Sequence, residues 1–503
     1  MELIRKAEQK GFRYTLVQGS ADTDVTALCY DSRKASPGCL FVCMKGANFD
    51  SHEKLGEVAA AGAAAAVIDH DCPVPEGITV LKVADSRLAL AELSAAWFDF
   101  PAEKMLTIGI TGTKGKTTTA HMVRAILEES GMKTGLIGTN GITIGEKHTD
   151  TKNTTPESWQ VQEAFAEMVE ADCKAVVMEV SSQGLMLNRT GGIRFDIGVF
   201  TNISSDHIGP NEHKSFEEYL MWKSKLFTQC RVGIVNIDDP HAQDIMANAE
   251  CEQILTFSTQ KKADFMMENL RYVSEPGFVG LEFTCVSMPG TFETRVGLPG
   301  RFNADNALAA LAACTVAKAD PYALEHGMEH MRVNGRMEIV WSKGFTVLVD
   351  YAHNAVSMES LLTTLREYEP KRLIVVFGCG GNRAKDRRYS MGEIGGRMAD
   401  LSVVTADNSR FEKVEDIIAD IRSAIAPTGG KYIEIPDRRE AIFEVIRKAE
   451  PGDMIAVIGK GHEDYQEING VRHHFLDREV IEEALAERFP EEAAAQKKKA
   501  EKV

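Results

Sequence analysis

The stretch Thr111-Gly112-Thr113-Lys114-Gly115-Lys116-Thr117-Thr118 decides the fold class of this chain of 503 residues. It follows the short apolar run 106–110 and precedes the segment 116–130, where apolar residues recur at helical spacing. A buried strand, a glycine-rich turn and an amphipathic helix in this order predict a phosphate-binding loop. Glycines let backbone N–H groups turn inward around phosphate oxygens, and the helix N-terminus adds the positive end of its dipole.

The side chains of this turn indicate which ligand it holds. Lys116 can reach the β- and γ-phosphates of ATP, and the Thr117 hydroxyl is placed to ligate Mg²⁺. The general pattern has a glycine five residues before Gly115, where this chain has Ile110, so the turn is a variant form. Transporter ATPases, kinases and ligases share such a loop, which leaves the phosphate acceptor open. The predicted ATP contacts in the turn are Gly112, Thr113, Lys114, Gly115, Lys116, Thr117 and Thr118.

Composition and charge exclude several classes of partner. Hydrophobic residues make up 44% of the chain and charged residues 26%, which is typical of globular domains. The formal net charge of −17 argues against a nucleic acid or an anionic membrane surface as the main partner. The first 20 residues lack a signal-peptide pattern, and no apolar stretch reaches the roughly 18 residues that a membrane span requires. We therefore expect a cytoplasmic protein without membrane insertion.

Alternating apolar runs and amphipathic segments divide the chain into blocks. We expect a smaller N-terminal α/β domain over 1–101 and a central domain over 102–333 with a parallel sheet of the P-loop ATPase type. A C-terminal Rossmann-like doubly wound sheet is predicted over 334–490. The charged segment 491–503 has no apolar face, and we expect it to fray. The predicted strands include 106–110, 175–180, 196–203, 346–349, 373–377, 401–404 and 454–458, and the predicted helices include 52–66, 116–130, 358–368 and 438–449.

Polar residues follow two of the predicted strands. Glu179 comes at the end of one strand candidate, and His207 comes shortly after another. Open α/β sheets bind ligands at this edge, so a carboxylate and an imidazole there could complete a magnesium site. On position alone, a helix cap for Glu179 and a loop histidine at 207 are equally good interpretations.

Several motifs follow one another along the chain. They are TGTKGKTT at 111–118, EVSSQG at 179–184, TNISSDH at 201–207, FEEYLMWKSKLF at 216–227, GRFNADNALAA at 300–310, NGRME at 334–338 and DYAH at 350–353. Their order resembles the Mur ligase family, over about residues 20 to 480. The resemblance implies an ATP-dependent amide ligase of peptidoglycan precursor synthesis, and hence of cell-wall growth and cell division.

The resemblance implies a catalytic centre around Lys116 and two Mg²⁺ ions. Lys223 resembles the lysine that members of the family carbamylate with CO₂, giving N6-carboxylysine, and this requires it to lie beside the glycine turn. Spacing alone would favour a solvated lysine on an amphipathic helix. The implied metal ligands are Thr117, Glu179, His207 and carbamylated Lys223, and the further ATP contacts are Asn303, Asn306, Arg336 and Asp350.

The resemblance also implies the substrates. Asp407-Asn408-Ser409-Arg410 is similar to the Asp-Asn-Pro-Arg motif of members that add meso-2,6-diaminopimelate, whose distal carboxylate an arginine can grip with two hydrogen bonds. Lysine lacks that carboxylate and is the alternative amino acid. The implied amino-acid contacts are Arg388, Asp407, Asn408, Ser409, Arg410, Gly459 and Glu463. The implied contacts to UDP-N-acetylmuramoyl-dipeptide are Tyr30, Ser32, Ala47, Asn48, Phe49, Asn153, Thr154, Thr155, Ser181 and Arg189.

Two other functions remain open at this point. Folylpolyglutamate synthetases have a related architecture but lack a separate uridine-binding domain, which argues against them because the first hundred residues are present here. A catalytically weak partner subunit that only binds nucleotide would be expected to have lost its metal ligands, which this chain retains. We expect a monomeric enzyme that forms an acyl phosphate and then an amide.

Overall fold

The structure is a computed structural model that describes residues 2–46, 49–206, 208–209, 212–288, 290–331, 335 and 337–492. The chain forms two compact units. One comprises 1–267, 285–291 and 305–327, and the other comprises 268–284, 292–304 and 328–503. Four of the predicted site residues, Ala47, Asn48, His207 and Arg336, lie outside the described residues, as does most of the charged segment 491–503.

The first hundred residues fold around a mainly parallel sheet with the strand order β1-β5-β4-β3-β2, in which only β1 is antiparallel to its neighbour. Alternate residues of β3 pack into two different core layers, so Leu40 lies on one face of the sheet and Phe41 on the other. The elements are α1 Glu2–Gln9, β1 Thr15–Gln18, β2 Ala27–Cys29, β3 Cys39–Val42, α2 Leu55–Ala60, β4 Ala65–Ile68, β5 Thr79–Lys82 and α3 Ser86–Trp97.

The prediction of a helix over 52–66 was too long. Residues 51–54 form a 3₁₀ turn, and the α-helix ends at Ala60, two residues before Gly62. Gly62 has a φ of 91°, a left-handed conformation that ends helices. Alanines 65 and 66 belong to β4 because they pair with β3 and face the core.

The central part of the first unit is a parallel sheet with the order β13-β12-β11-β6-β10-β7, and β8 and β9 extend its β7 edge as antiparallel strands. Because β6 lies between β10 and β11, the glycine turn that follows it is at the centre of the sheet edge. The elements are β6 Leu106–Thr111, α4 Lys116–Glu129, β7 Thr134–Gly138, β8 Gly141–Ile144, β9 Lys147–Thr149, α5 Ser158–Glu170, β10 Ala175–Glu179, α6 Ser182–Met186, β11 Phe195–Phe200, α7 Phe216–Ser224, β12 Cys230–Asn236, α8 Ala242–Ala247 and β13 Gln253–Ser258.

Three strands follow, two of them long, and they lie side by side in the order β14 Phe265–Glu275, β15 Phe278–Ser287 and β16 Thr291–Val296. Two helices come next, α9 Arg301–Val316 and α10 Pro321–His326. The sequence analysis did not predict these strands. None of the helices in the described ranges is long and apolar enough to reach across a lipid bilayer.

The second unit contains a doubly wound sheet with the order β17-β18-β22-β19-β20-β21, parallel except for β17. Separate core layers cover its two faces, with Val375 in one and Val376 in the other, as predicted for a Rossmann-like sheet. The elements are β17 Glu338–Lys343, β18 Phe345–Asp350, α11 Ala355–Arg366, β19 Arg372–Phe377, α12 Asp386–Met398, β20 Leu401–Val404, α13 Val414–Ile425, β21 Tyr432–Glu434, α14 Arg438–Arg447, β22 Asp453–Ile458, β23 Tyr465–Ile468, β24 Val471–His474 and α15 Asp477–Arg488.

Candidate functional site

The glycine turn is held in shape by the segment that follows β11. The backbone N–H of Thr113 donates to the carbonyl oxygen of Asn202 at 2.8 Å, and the N–H of Lys114 donates to the Asn202 side-chain oxygen at 2.9 Å. Gly115 precedes α4 with a φ of 85°, and a Cβ there would overlap the side-chain oxygen of Asn306. Only glycine therefore fits at this position, and the turn presents its backbone at the start of a helix.

Lys116 folds back over the turn. Its Nζ donates to the carbonyl oxygens of Gly112 at 2.9 Å and Thr113 at 3.1 Å. Burial lowers the pKa of Lys116, while the negative charges of Glu179 and Asp206 oppose this shift. An ammonium group in this position can exchange its carbonyl acceptors for the oxygens of a nucleotide phosphate.

Glu179 ends β10 next to the glycine turn and is almost completely buried. Its carboxylate accepts hydrogen bonds from the Thr117 hydroxyl at 2.9 Å and from the backbone N–H of Thr139 at 2.9 Å. Burial raises the pKa of Glu179 above its ordinary value, although these hydrogen bonds and Lys116 act in the opposite direction. A buried carboxylate beside a hydroxyl offers the oxygen ligands that Mg²⁺ prefers, so the pair fits this cation.

Lys223 lies beside the glycine turn. It is on α7, only 1% of its surface is exposed, and its Nζ donates to the carbonyl oxygen of Gly112 at 2.7 Å. The same Nζ lies 4.5 Å from the centre of the Tyr219 ring, one helical turn earlier. Burial lowers the pKa of Lys223 far below its ordinary value, and the positive charge of Lys116 adds to this. A neutral amine is the form that reacts with CO₂, so the surroundings of Lys223 fit a carbamate.

The other residues predicted to contact ATP have different surroundings. Asn306 lies beside the turn and accepts a hydrogen bond from the Thr119 hydroxyl at 3.4 Å. In the second unit, the Asn303 amide donates to the carbonyl oxygen of Pro299 at 2.7 Å, and Asp350 accepts backbone N–H groups of Met337 and Ala352 at 2.8 and 2.7 Å. The side chains of Asn303 and Asp350 therefore stabilise the backbone of the segments in which they lie.

Three of the residues predicted to contact the sugar and the peptide lie close together behind Glu179. The Thr155 hydroxyl donates to the Glu179 carbonyl oxygen and accepts the backbone N–H of Ser181, both at 2.9 Å. The Arg189 guanidinium donates to the Thr155 carbonyl oxygen at 3.1 Å and pairs with Glu157 at 2.7 Å. Sequence-distant segments thus meet at the end of the strand that carries the buried carboxylate.

The loop before this cluster also approaches Glu179. The hydroxyls of Thr154 and Thr139 lie 3.0 Å apart, and the Thr139 hydroxyl donates to Glu179 at 3.2 Å. The carbonyl oxygen of Asn153 accepts a hydrogen bond from the Thr151 hydroxyl at 3.1 Å. Thr154 is therefore one side chain away from the predicted metal ligand.

The predicted uridine contacts lie in the first hundred residues. Tyr30 is half-buried, and its pKa is raised by burial and by the negative charge of Glu157. Ser32 begins a 3₁₀ turn that the Asp31 side chain caps. Phe49 exposes half of its surface, which is unusual for a large apolar side chain and leaves its ring available for stacking.

The second unit has a polar cleft of about 280 Å³ at the C-terminal ends of its parallel strands, the edge where such sheets bind ligands. Its lining brings together five of the residues predicted to contact the amino acid, namely Asp407, Asn408, Arg410, Gly459 and Glu463. The remaining lining residues are Tyr351, His353, Gly378, Cys379, Gly380, Arg383 and Arg387.

The side chains of this cleft are fixed by local contacts. The Arg410 guanidinium donates to the carbonyl oxygen of Gly381 at 2.8 Å, and its backbone has a φ of 50°. The Asn408 amide donates to Glu463 at 3.0 Å. Gly459 has a φ of 112°, and a Cβ there would lie 2.9 Å from a carboxylate oxygen of Asp407, so a larger residue would press on the cleft.

Arg388 and Ser409 are not among the described residues that line the cleft. The Arg388 side chain is buried in α12 and pairs with Glu412 at 2.8 Å and Asp420 at 2.9 Å. Instead, Arg383 and Arg387 face the cleft. Both belong to the connection from β19 to the first turn of α12, at the sheet edge where ligands bind, and this position is the sequence signal for them.

Arg438 is a third functional residue that the sequence pattern does not indicate. It forms a fully buried ion pair with Asp477 at 2.7 Å. It also donates to the carbonyl oxygens of Ala406 at 3.2 Å and Ile458 at 2.9 Å. These carbonyls end the strand segments that lead to Asp407 and Gly459, so Arg438 positions two walls of the cleft without lining it.

A phosphate loop beside a buried carboxylate occurs in many ATP-using enzymes. Its combination with a second, doubly wound unit that carries a charged cleft defines this chain as an ATP-dependent amide ligase. Residues 110–314 match the family model described as the Mur ligase middle domain, and residues 335–461 match that of the Mur ligase glutamate ligase domain. The chain belongs to the Mur ligase family.

Proteins similar over nearly the whole length support this assignment. The chain is 38% identical to UDP-N-acetylmuramoyl-L-alanyl-D-glutamate–2,6-diaminopimelate ligase of Clostridium perfringens, with 96% of this chain and 99% of that protein covered. It is 39% identical to the ligase of the same name from Caldanaerobacter subterraneus, with 95% and 98% covered. A solved structure of a ligase with this name has a TM-score of 0.79 and 31% identity, and covers 92% of this chain and 95% of its own.

Proposed function

We propose that this ligase joins 2,6-diaminopimelate to UDP-N-acetylmuramoyl-L-alanyl-D-glutamate with the energy of ATP. The names of its similar relatives support this pair of substrates. Relatives of nearly equal length also share the first hundred residues, which favours a nucleotide-sugar substrate over a folate. Such a reaction belongs to peptidoglycan precursor synthesis in the cytoplasm, and we propose that a monomer carries it out.

The observation that carries the choice of amino acid is the mixed charge of the cleft. Arg383, Arg387 and Arg410 line it together with the carboxylates Asp407 and Glu463. Arginines suit the carboxylates of a substrate and carboxylates suit its amines, so this lining favours an amino acid that has two of each. L-Lysine, the alternative, has one carboxylate and would engage fewer of the three arginines. The meso stereoisomer is part of the proposal.

The reaction proceeds in two steps. A side-chain carboxylate oxygen of the D-glutamate attacks the γ-phosphorus of ATP, the bond to the β-phosphate oxygen breaks, and ADP leaves. The neutral amine of the amino acid then attacks the carbonyl carbon of the acyl phosphate, phosphate leaves with the bonding electrons, and the nitrogen loses a proton. In this proposal Lys116 neutralises charge on the transferred phosphoryl group, and the N–H groups of residues 112–118 cradle the phosphates.

The metal ligands in this proposal are Thr117, Glu179, His207 and Lys223, the last as a carbamate. Two Mg²⁺ ions bound there supply charge neutralisation on the phosphate oxygens. The burial of the Glu179 carboxylate supports a cation beside it, because a buried charge is stable only with a partner. The lowered pKa of Lys223, and the position of its amine beside the Gly112 carbonyl oxygen, support carbamylation.

The remaining site residues have roles in the same proposal. The segments around Tyr30 and Phe49 hold the uridine, with Ser32, Ala47 and Asn48. The cluster behind Glu179 holds the sugar and the dipeptide, through Asn153, Thr154, Thr155, Ser181 and Arg189. Asn303, Asn306, Arg336 and Asp350 complete the ATP site, and Arg388 and Ser409 support the amino-acid cleft from behind its lining. The proposed domain ranges are 1–101, 102–333 and 334–490.

The direct test offers the purified protein ATP, Mg²⁺, UDP-N-acetylmuramoyl-L-alanyl-D-glutamate and one amino acid at a time. Mass spectrometry of the product should detect the diaminopimelate adduct, and phosphate release should require both co-substrates. An adduct with lysine and none with diaminopimelate would overturn the choice of amino acid. Phosphate release without either co-substrate would instead indicate an ATPase module.

A further inference from the structure

Two aspartates and two histidines form a closed ring in the N-terminal sheet. Asp50 and His52 lie in the turn that leads into α2, and Asp69 and His70 directly follow β4. His52 Nδ1 lies 2.6 Å from Asp50 Oδ1, and His70 Nε2 lies 3.6 Å from Asp50 Oδ2. On the opposite side, His70 Nδ1 lies 2.7 Å from Asp69 Oδ1, and His52 Nε2 accepts the backbone N–H of Asp69 at 3.3 Å.

This ring has the arrangement of a histidine metal site and its supporting carboxylate. One nitrogen of each imidazole faces Asp50, and the ligand atoms of Asp50, His52 and His70 all lie within 4.8 Å of one another. Ligands of a tetrahedral zinc ion, at bond lengths of about 2.0–2.1 Å, lie at separations of about 3.3 Å. Metal-binding histidines almost always donate the N–H of their other nitrogen to a carboxylate or carbonyl, and for His70 the Asp69 carboxylate is that acceptor.

We propose that Asp50, His52 and His70 bind one divalent transition-metal cation of the Zn²⁺ type, with Asp69 orienting both imidazoles. When His70 binds through Nε2, its proton resides on Nδ1, and Asp69 Oδ1 lies 2.7 Å away, where that proton needs an acceptor. Three protein ligands leave a fourth position for water. Imidazole nitrogens favour zinc-like ions over Mg²⁺, which prefers oxygen, so this site is chemically distinct from the ATP site.

The burial of the cluster suits a bound ion with access to solvent. His52 is buried, Asp50 and Asp69 are each about three-quarters buried, and His70 is almost half exposed. The imidazole rings of His52 and His70 already lie 3.9 Å apart between centroids, with an angle of 41° between their planes. A cation here would tie the turn after Phe49 to the end of β4, and so would fix a segment that the proposed function assigns to uridine. The cation site itself does not depend on that assignment.

The test is a calorimetric titration of Zn²⁺ into the full chain, after chelator treatment and in excess Mg²⁺ to occupy oxygen-rich sites. We expect one equivalent to bind, and Co²⁺ in its place to give the visible absorption of a tetrahedral complex. Asp69→Asn should weaken binding about 10–100-fold, as loss of a supporting carboxylate does elsewhere. His70→Gln, at a half-exposed position that the fold tolerates, should weaken it more than Asp69→Asn.

The matched control is His148→Gln, because His148 is an exposed histidine 3.3 Å from Asp150 in the same unit. It should leave Zn²⁺ affinity unchanged. Absence of a stoichiometric binding event in the folded wild-type protein would overturn the proposal and identify the ring as a purely hydrogen-bonded one. Equal weakening by His148→Gln and His70→Gln would also overturn it, because it would indicate unspecific surface binding.

Discussion

Lys116 and Lys223 donate hydrogen bonds to the same acceptor, the carbonyl oxygen of Gly112, at 2.9 and 2.7 Å. Two ammonium groups on one carbonyl repel each other, and burial lowers the pKa of both. Addition of CO₂ to the neutral Lys223 amine gives a carbamate and one proton. The change turns a repelling cation into an anion beside Lys116, so the geometry itself favours the proposed modification.

The proposed carbamate predicts a difference between two neighbouring lysines. Lys223→Gln should reduce kcat by about 100-fold or more, because a charge that stabilises the transition state is lost. The wild-type protein labelled with carbon-13 bicarbonate should give a carbamate NMR signal that Lys223→Gln lacks. Lys225→Gln, at an exposed position on the same segment, is the control and should keep both the signal and the rate. A wild-type rate that is insensitive to CO₂ removal, without a carbamate signal, would contradict the prediction.

The lowered pKa of Lys223 also predicts a pH dependence of stability. In the folded chain this pKa lies well below the ordinary value of 10.5 that the unfolded chain retains. Between the two values the unfolded chain binds a proton that the folded chain does not, so the stability contributed by this group rises with pH and is lost as pH falls. In CO₂-free buffer, the free energy of unfolding of the wild type relative to Lys223→Met should therefore rise from about pH 7 to about pH 10. Urea titrations at a series of pH values measure this difference in the free energy of unfolding. A difference that stays constant with pH would refute the prediction.

The buried Glu179 predicts a conflict between stability and function. Its raised pKa means that the folded chain binds a proton more readily than the unfolded chain, so the ionised carboxylate costs stability as pH rises above its ordinary value. Without Mg²⁺ at neutral pH, Glu179→Gln should raise the free energy of unfolding by about 1 kcal/mol. It should also reduce ligase activity by at least about 100-fold. Glu128→Gln, an exposed residue of α4, serves as control for both measurements. A destabilised Glu179→Gln would show that the carboxylate is structural.

The fold was largely predictable because its signals are local. The strand, glycine turn and helix around 106–130 need only neighbouring residues, and the structure has them at 106–111 and 116–129. The strands of the second sheet are continuous apolar runs, which buried parallel strands require. By contrast, the long strand 265–275 carries mostly exposed and partly exposed side chains, so its sequence has no clear apolar period from which to predict it.

The site was less predictable because its contacts are distant in sequence. The burial of Lys223 depends on Gly112, which lies 111 residues away, and spacing alone favoured a solvated lysine. The local indication of burial is that Lys223 lies one helical turn after Tyr219, on the same buried face of α7. Distant contacts also decide the position of Arg388. Its guanidinium pairs with Glu412 and Asp420, whereas Arg383 and Arg387 line the cleft.

The arginine in the cleft predicts a loss of amino-acid selectivity. Arg410→Lys keeps the charge but replaces a planar fork with a single ammonium, so two parallel hydrogen bonds to a carboxylate are no longer possible. We expect kcat/KM for diaminopimelate to fall about 10–100-fold, the equivalent of about 1.5–3 kcal/mol for a charged hydrogen bond, and kcat/KM for lysine to change little. Arg397→Lys, on the exposed side of α12 with Glu393 as its partner, should behave as wild type. An equal loss for both amino acids would indicate that Arg410 only holds the loop.

The buried pair of Arg438 and Asp477 predicts a change in the cleft from a residue outside its lining. Arg438→Met leaves the Asp477 carboxylate buried without its partner, and breaking a buried pair in this way costs about 3–5 kcal/mol. The carbonyl oxygens of Ala406 and Ile458 lose a donor at the same time, so the strand ends that carry Asp407 and Gly459 should loosen.

Kinetics of the Arg438→Met variant, measured at a low temperature at which it stays folded, test this prediction. Its KM for the amino acid should rise while its KM for ATP stays constant. The double variant Arg438→Met/Asp477→Leu separates the two effects, because replacing both charges by apolar groups should recover most of the stability but not the amino-acid KM. Recovery of both would mean that Arg438 acts on the cleft only through overall stability.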